Sequence, residues 1–325
     1  MNPLQTLLQT QPYLLADGAT GTNLMRVGLS HGNPPEEWNV LHPDRVRKMH
    51  RDFIEAGSQI ILTNSFGGTR FRLKLHGLQD RVHEFNVAAA RNARAEADAA
   101  PDLVAVGGSM GPSGEILFPL GEASFEDVKA AFAEQAAALT EGGVDVLWIE
   151  TMSDLQEVRA AAEGAREASH LPLVITMTFD TNGHTMMGVS PIQALRAIRD
   201  YNPIALGGNC GNGPREIESV IQAMASVGLD IPLVAKSNAG MPKLVNGQAH
   251  YDATPEQMAC HAVRVRNFGA TIIGGCCGNS VDHIRAMSEA LRTTPIEPVV
   301  IASPSGNGAP KKPQRERRHA RRERV

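Results

Sequence analysis

Between residues 12 and 300 one pattern of apolar and polar positions recurs eight times. A short apolar run ends in Gly, Asn, Ser or Thr, and a longer stretch with helical periodicity follows. The runs occupy 13–16, 59–63, 103–106, 144–149, 173–177, 204–207, 233–236 and 271–274. Short, β-branched, nearly continuous apolar runs are the signature of parallel strands buried on both faces. The stretches between them show the other period: Val46, Met49, Phe53 and Ala56; Ile217, Val220, Ile221 and Met224; Val281, Ile284, Met287 and Leu291. Pro214 suits a first helical turn and Ser280 an N-cap. Eight βα units in about 290 residues match the size of a (β/α)8 TIM barrel. An open doubly wound sheet is the alternative, because periodicity does not reveal closure.

In such a barrel the catalytic groups gather at the C-terminal ends of the strands. The polar exceptions of this chain fall there. Asp17-Gly18-Ala19-Thr20-Gly21-Thr22 follows the first run, Thr63-Asn64-Ser65-Phe66 the second, Ser109-Met110-Gly111-Pro112 the third and Glu150-Thr151 the fourth. Asn209-Cys210 follows the sixth, Asn238-Ala239-Gly240 the seventh and Cys276-Cys277 the eighth.

Three of the four cysteines therefore sit in glycine-flanked strand ends, Gly207-Gly208-Asn209-Cys210-Gly211 and Gly274-Gly275-Cys276-Cys277-Gly278. A catalytic zinc takes three protein ligands and keeps its fourth position open, so Cys210, Cys276 and Cys277 fit one Zn²⁺ per chain at the barrel mouth. Adjacent cysteines make a poor disulfide with each other, and the spacing is not that of a zinc finger. Cys260 lies in a helical stretch without a partner and is expected in the core. A redox switch built on Cys276-Cys277 leaves Cys210 and the Asp17 loop unexplained.

A chain of 325 residues with 42% hydrophobic content can bury a large core. It shows neither a signal-peptide start nor an apolar run long enough to span a membrane, which points to a cytoplasmic protein whose cysteines stay reduced. The net charge of −4 is uneven: residues 311–325 hold eight Lys or Arg against two Glu, so the rest is the more acidic. The expected organisation is a barrel over 1–300 and a disordered basic tail over 301–325. The tail is read as solvated, with no nucleic-acid or membrane partner.

Ligand charge selects the reaction. Three thiolates leave Zn²⁺ near −1 overall, a weak Lewis acid toward water, which disfavours hydrolysis. A thiol entering the fourth position loses its proton and remains an electron-rich nucleophile. Thiol alkylation is the leading reaction class. Asp17 and Glu150 can hold an α-ammonium, and backbone N–H groups around Gly18, Ala19 and Thr20 an α-carboxylate.

Asp17-Gly18-Ala19-Thr20-Gly21-Thr22, Gly207-Gly208-Asn209-Cys210 and Gly274-Gly275-Cys276-Cys277-Gly278, in this order, resemble the zinc-dependent homocysteine S-methyltransferases. That group includes betaine–homocysteine methyltransferase, S-methylmethionine-dependent enzymes and the homocysteine module of cobalamin-dependent methionine synthase. The resemblance covers roughly residues 12–295. It implies a homocysteine-binding barrel, zinc on Cys210, Cys276 and Cys277, homocysteine as fourth ligand and methionine as product. Asp17, Gly18 and Glu150, with Thr20 and Asn64, would hold the substrate.

For the methyl donor, segments 61–67, 111–115 and 237–242 look most like the cobalamin-dependent module, implying methylcobalamin delivered in trans by a corrinoid protein. The alternative is a small onium donor, betaine or S-methylmethionine, caged by aromatics. Aromatic content is 4%, with Trp38, Phe66 and Phe118 the cage candidates. A further alternative is a non-catalytic zinc-bearing barrel that binds a corrinoid protein. Closed structural zinc needs a fourth protein ligand, for which His184, His250 and His283 are candidates, though none falls at a strand end.

Overall fold

Eight parallel strands form one sheet in the computed structural model, which describes residues 2–245 and 248–299. They are β1 (Leu14–Leu15), β2 (Ile60–Leu62), β3 (Ala105–Met110), β4 (Val146–Met152), β5 (Leu173–Met177), β6 (Ala205–Cys210), β7 (Leu233–Ser237) and β8 (Ala270–Gly275). From β2 to β8 each strand pairs with the next in the chain, and β8 pairs with β1. A parallel bridge between Ala16 and Ile60 joins β1 to β2, so the sheet closes into a (β/α)8 barrel. The open doubly wound alternative is thereby set aside.

The helical faces expected from the sequence are the buried ones. Val46, Met49 and Phe53 face inward on helix Pro43–Glu55, and Ile217, Val220, Ile221 and Met224 on helix Pro214–Ala225. Ile284, Met287 and Leu291 do so on helix Val281–Thr293, which Ser280 caps. Pro214 opens its helix as expected.

Five strands run further than the apolar runs indicated, β7 and β8 by one residue, to Ser237 and Gly275, and three others by more. β3 continues through Gly107-Gly108-Ser109, β4 through Glu150-Thr151, and β6 through Gly208-Asn209-Cys210. Neighbouring strands pair with Gly108, Ser109, Gly208, Asn209 and Cys210, and Thr151 N donates to the Asn209 side chain across a register shift in β4, so apolar side chains are not needed there. Glu150 and Cys210 are thus held in strands rather than in loops.

Period-two alternation divides the strand residues between two cores. Leu14, Ala16, Ile60, Leu62, Ala105, Val146, Trp148, Val174, Ala205, Val234 and Ile272 fill the barrel interior, and their sequence neighbours pack against the surrounding helices. Residues 3–10 lie outside the repeat yet form helix Pro3–Thr10, whose Leu4 and Leu7 join the interior core. Asn2 caps this helix: its Oδ1 accepts from Leu4 N at 3.0 Å and its Nδ2 donates to Asp145 O. The N-terminal end of the barrel is therefore stoppered by apolar side chains.

After β7 the chain forms an antiparallel hairpin, Lys243–Val245 with Gln248–His250, that the sequence pattern did not indicate. Among the described residues no helix is long and apolar enough to cross a membrane. The tail at 301–325 lies outside the described residues.

Candidate metal centre

Strand register brings the cysteines together. Ser237 at the end of β7 pairs with Cys210 on one side and Gly275 on the other, so the tips of β6 and β8 flank it at one level. Cys276 N donates to Ser237 O at 2.8 Å, and Asn279 Nδ2 donates to Ser237 O at 2.8 Å and Cys276 O at 3.1 Å, fixing the turn after β8. Gly278 has a φ of +81°, and a Cβ there would lie 2.4 Å from Tyr251 Cγ, so only glycine serves this turn. The Sγ atoms of Cys210, Cys276 and Cys277 all lie within 4.8 Å of one another, partly open to solvent.

Two strand-end residues with side chains occupy the left-handed region, Cys210 at φ 65° and Thr151 at φ 63°. Asn209 ties them down. Its Oδ1 accepts from Thr151 N at 2.9 Å and Thr176 Oγ1 at 2.7 Å, and its Nδ2 donates to Thr151 Oγ1 at 2.7 Å and faces Cys276 Sγ at 3.8 Å. Such conformations persist only where surrounding bonds over-determine them, and they concentrate at functional sites.

The thiols oppose one another electrostatically. Hydrogen bonds from Cys210 and Cys276 hold Cys277 well below the usual thiol range. Bonds with Cys276 and Cys277, and then burial, push Cys210 up. On Cys276 the bond with Cys210 pulls down, but Cys277 and burial prevail and push it up to about 12. One thiolate forms readily and its neighbours resist, a conflict that a divalent cation removes. The amide oxygens of Asn238 and Asn279, both buried, have no hydrogen-bond partner, although Asn238 Nδ2 bonds Gly211 O beside Cys210 at 2.6 Å. Among the described residues, both asparagines thus stand in the turns that position the cysteines with an acceptor to spare.

Among the described residues no His, Asp or Glu joins the sulfurs. His184 and His250 are exposed; His283 accepts from Ser280 N through Nδ1 and bonds Ala253 O through Nε2, so both its nitrogens are committed. The cluster can therefore hold a metal with a position left for an added ligand.

Below the sulfurs lies a polar layer. Asp17 is 2% exposed; its Oδ2 accepts from Leu62 N and its Oδ1 from Lys236 Nζ, each at 2.7 Å. Buried Glu150 accepts from Ser109 Oγ. Burial pushes its carboxyl up to about 7, against the pull of Lys236, and Cys276 and Asp17 add to the rise. For Lys236, also 2% exposed, burial works against the charge, but Asp17 and Glu150 outweigh it and the ammonium stays above its ordinary value. Gly18 passes so close to the cysteine turn that a Cβ would meet Asn279 O at 2.7 Å, and Ala19 N donates to that oxygen at 3.1 Å. Thr20 opens the short helix Thr20–Arg26, whose first N–H groups have no intrahelical partner.

The structure thus brings Asp17, Gly18 and Glu150 to the cysteine end of the barrel. Asn64 is committed elsewhere: its Nδ2 donates to Pro35 O at 2.7 Å and Asn39 Oδ1 at 3.3 Å, tying the short helical turns Pro35–Glu37 and Trp38–Leu41 to the end of β2. Of the aromatics, Trp38 is buried with the Arg45 guanidinium 5.1 Å from its ring centroid, Phe66 packs over Gly111, and Phe118 is exposed. Cys260 corrects an expectation. It is exposed, because Met258, His261, Ala262 and Val265 define the buried face of helix Pro255–Asn267 and Cys260 falls opposite. Sequence reasoning missed Lys236, Ser109 and Asn209 as site residues. The signal was period-two alternation: each stands two residues beyond an inward position, at 234, 107 and 207.

The profile of the family described as homocysteine S-methyltransferase matches residues 14–291. The chain is 33% identical over 305 residues to a methionine synthase of Mycobacterium leprae, covering 89% of this chain and 25% of that protein. It is 32% identical over 299 residues to a methionine synthase of Mycobacterium tuberculosis, covering 87% of this chain and 25% of that protein. The chain spans about a quarter of the length of these relatives. Among solved structures, the homocysteine methyltransferase MmuM from Escherichia coli superposes with TM-scores of 0.77 in its oxidized form and 0.76 in its metallated form. In both the identity is 25%, over 89% of this chain and 99% of MmuM.

Proposed function

Because this chain belongs to the homocysteine S-methyltransferase family, and is thereby a methyltransferase, we propose that it methylates the sulfur of homocysteine to form methionine. The observation that carries this reading is the convergence of Cys210, Cys276 and Cys277 above a buried floor of Asp17, Lys236 and Glu150. These cysteines would hold one Zn²⁺ per chain. Bound there, zinc supplies a fourth position that takes the substrate sulfur and keeps it deprotonated at neutral pH.

The residues of the chain then do the binding and orienting. Glu150 and Asp17 face the α-ammonium. Burial without enough cation is what raises Glu150, and an arriving ammonium relieves it. Backbone N–H groups at Gly18 and Thr20 face the carboxylate. Asn209 holds the end of β6 against Cys276, and Asn64 secures the short helical turns beside β2. The sulfur lone pair forms the new C–S bond as the methyl group leaves its donor with the bonding pair left behind.

For the donor, the reading is methylcobalamin on a separate corrinoid protein. It is supported by segments 61–67, 111–115 and 237–242 and by higher identity to the methionine synthases than to MmuM. The Arg45 guanidinium over Trp38 also weakens the case for an aromatic cage there. A non-catalytic, closed zinc site would need a fourth protein ligand, and among the described residues no His, Asp, Glu or fourth Cys joins the sulfurs, while the Tyr251 phenol bonds Cys277.

The test is a methyl-transfer assay with zinc-loaded protein and homocysteine, offering methylcobalamin, betaine and S-methylmethionine in parallel and reading methionine by mass. Methionine from methylcobalamin alone is expected. Turnover with an onium donor alone reverses the donor assignment, and no turnover with any donor rejects the reading.

A further inference from the structure

A lysine enclosed inside a barrel is expensive unless something requires it, because desolvating an ammonium costs several kcal/mol that only close anionic partners offset. Lys236 is such a residue: it stands in β7 between Asn209 of β6 and Gly274 of β8, 2% exposed. Its Nζ lies 2.7 Å from Asp17 Oδ1, and the ring centroid of Trp148 is 5.8 Å away. Glu150, the other buried carboxylate of this layer, bonds Ser109 and feels Lys236 only through space. The layer therefore holds two carboxylates and one ammonium.

We propose that Lys236 is the positioning residue that makes this site specific for an amino-acid thiol. The inference rests on the function proposed above. Lys236 fixes Asp17 in one orientation, with Leu62 N bound to the other oxygen, and cancels one of the two negative charges. Glu150 is then the one carboxyl beneath the sulfurs without a bonded cation, which matches one substrate α-ammonium. A thiol without an ammonium offers Glu150 no counter-charge, so the carboxyl takes up a proton and the site gains nothing from that contact. Without Lys236 the floor carries two uncompensated carboxylates, Asp17 loses its tether, and a single ammonium no longer balances the layer.

The experiment compares wild type with Lys236→Met, each loaded with Co²⁺ so that thiol binding is followed by the sulfur-to-cobalt charge-transfer band. The two thiols are homocysteine and 4-sulfanylbutanoate, which keeps the thiol and carboxylate and lacks the ammonium. In Lys236→Met the ratio of the two affinities is expected to fall at least about thirtyfold, the low end of the range seen when one partner of a buried charge pair is removed. Metal content and affinity for 4-sulfanylbutanoate should stay near wild type. The KM for homocysteine in the zinc enzyme should rise more than kcat falls. Lys236→Gln, which keeps a polar stem, repeats the comparison if the Met variant folds poorly.

Equal weakening of both thiols, or a lower melting temperature with an unchanged ratio, would overturn the proposal and leave Lys236 a purely structural ion-pair partner. A wild-type protein whose cobalt spectrum ignores homocysteine would instead reject the proposed function itself.

Discussion

The two ends of this barrel are built on opposite principles. At the N-terminal end, Leu4 and Leu7 of the first helix close an interior of Leu14, Ile60, Val146 and Ile272, and the Asn2 cap ties that helix to Asp145 O. At the C-terminal end the interior positions carry Ser109, Glu150, Thr176, Asn209 and Lys236, and two residues with side chains adopt left-handed backbone. The first end stabilises the fold; the second holds unpaired acceptors, crowded thiols and a carboxyl raised by burial. Strain and desolvation at one end are tolerated because packing at the other secures the barrel.

Substitutions at each end should therefore separate activity from stability. The largest effect is expected from Cys210→Ala, Cys276→Ala or Cys277→Ala. Each should abolish methionine formation and lower bound metal, with far-UV circular dichroism unchanged; activity with full zinc in any of them contradicts the ligand assignment. Leu4→Ala is the mirror case. It should cost about 2–5 kcal/mol of stability by denaturant titration, with KM for homocysteine unmoved. A changed KM would show that the two ends are coupled.

An intermediate effect is expected with pH at His50, fully buried on the inner face of helix Pro43–Glu55 with neither ring nitrogen hydrogen-bonded among the described residues. Burial lowers its pKa to about 4, against the pull of Asp17 and Glu96. A depressed folded-state value contributes stability that is present above the unfolded value near 6.5 and is lost as pH falls through about 4. The loss should amount to about 3 kcal/mol over that window, and His50→Phe should flatten the profile of melting temperature against pH. Glu150→Gln should raise the homocysteine KM about tenfold with metal content unchanged, as expected for one charge-assisted contact. The smallest effect is the cap: Asn2→Ala should cost about 1 kcal/mol of stability and nothing in activity.

The sequence exposed the two ends unequally. All eight strands and the faces of helices Pro43–Glu55, Pro214–Ala225 and Val281–Thr293 followed from apolar periodicity, because burial on both sheet faces leaves continuous apolar runs. Closure did not follow, since it depends on pairing between Ala16 and Ile60 that no local pattern encodes. The cysteine cluster was legible because sulfur at glycine-flanked strand ends has few other uses. Lys236 was not. A lysine at the end of an apolar run looks like a strand terminus reaching water, and only the alternation that carries it two residues beyond inward-facing Val234 turns it inward. Cys260 shows the converse: a cysteine among apolar helix residues invites burial, yet it stands opposite the face defined by Met258 and Ala262.

The most direct test of the account is X-ray absorption at the zinc edge, recorded on the metal-loaded protein before and after adding homocysteine. The sulfur coordination number should rise from three, the ligands Cys210, Cys276 and Cys277, to four as the substrate thiolate enters. A coordination sphere that does not respond to homocysteine, or one with fewer than three sulfurs at the start, would contradict it.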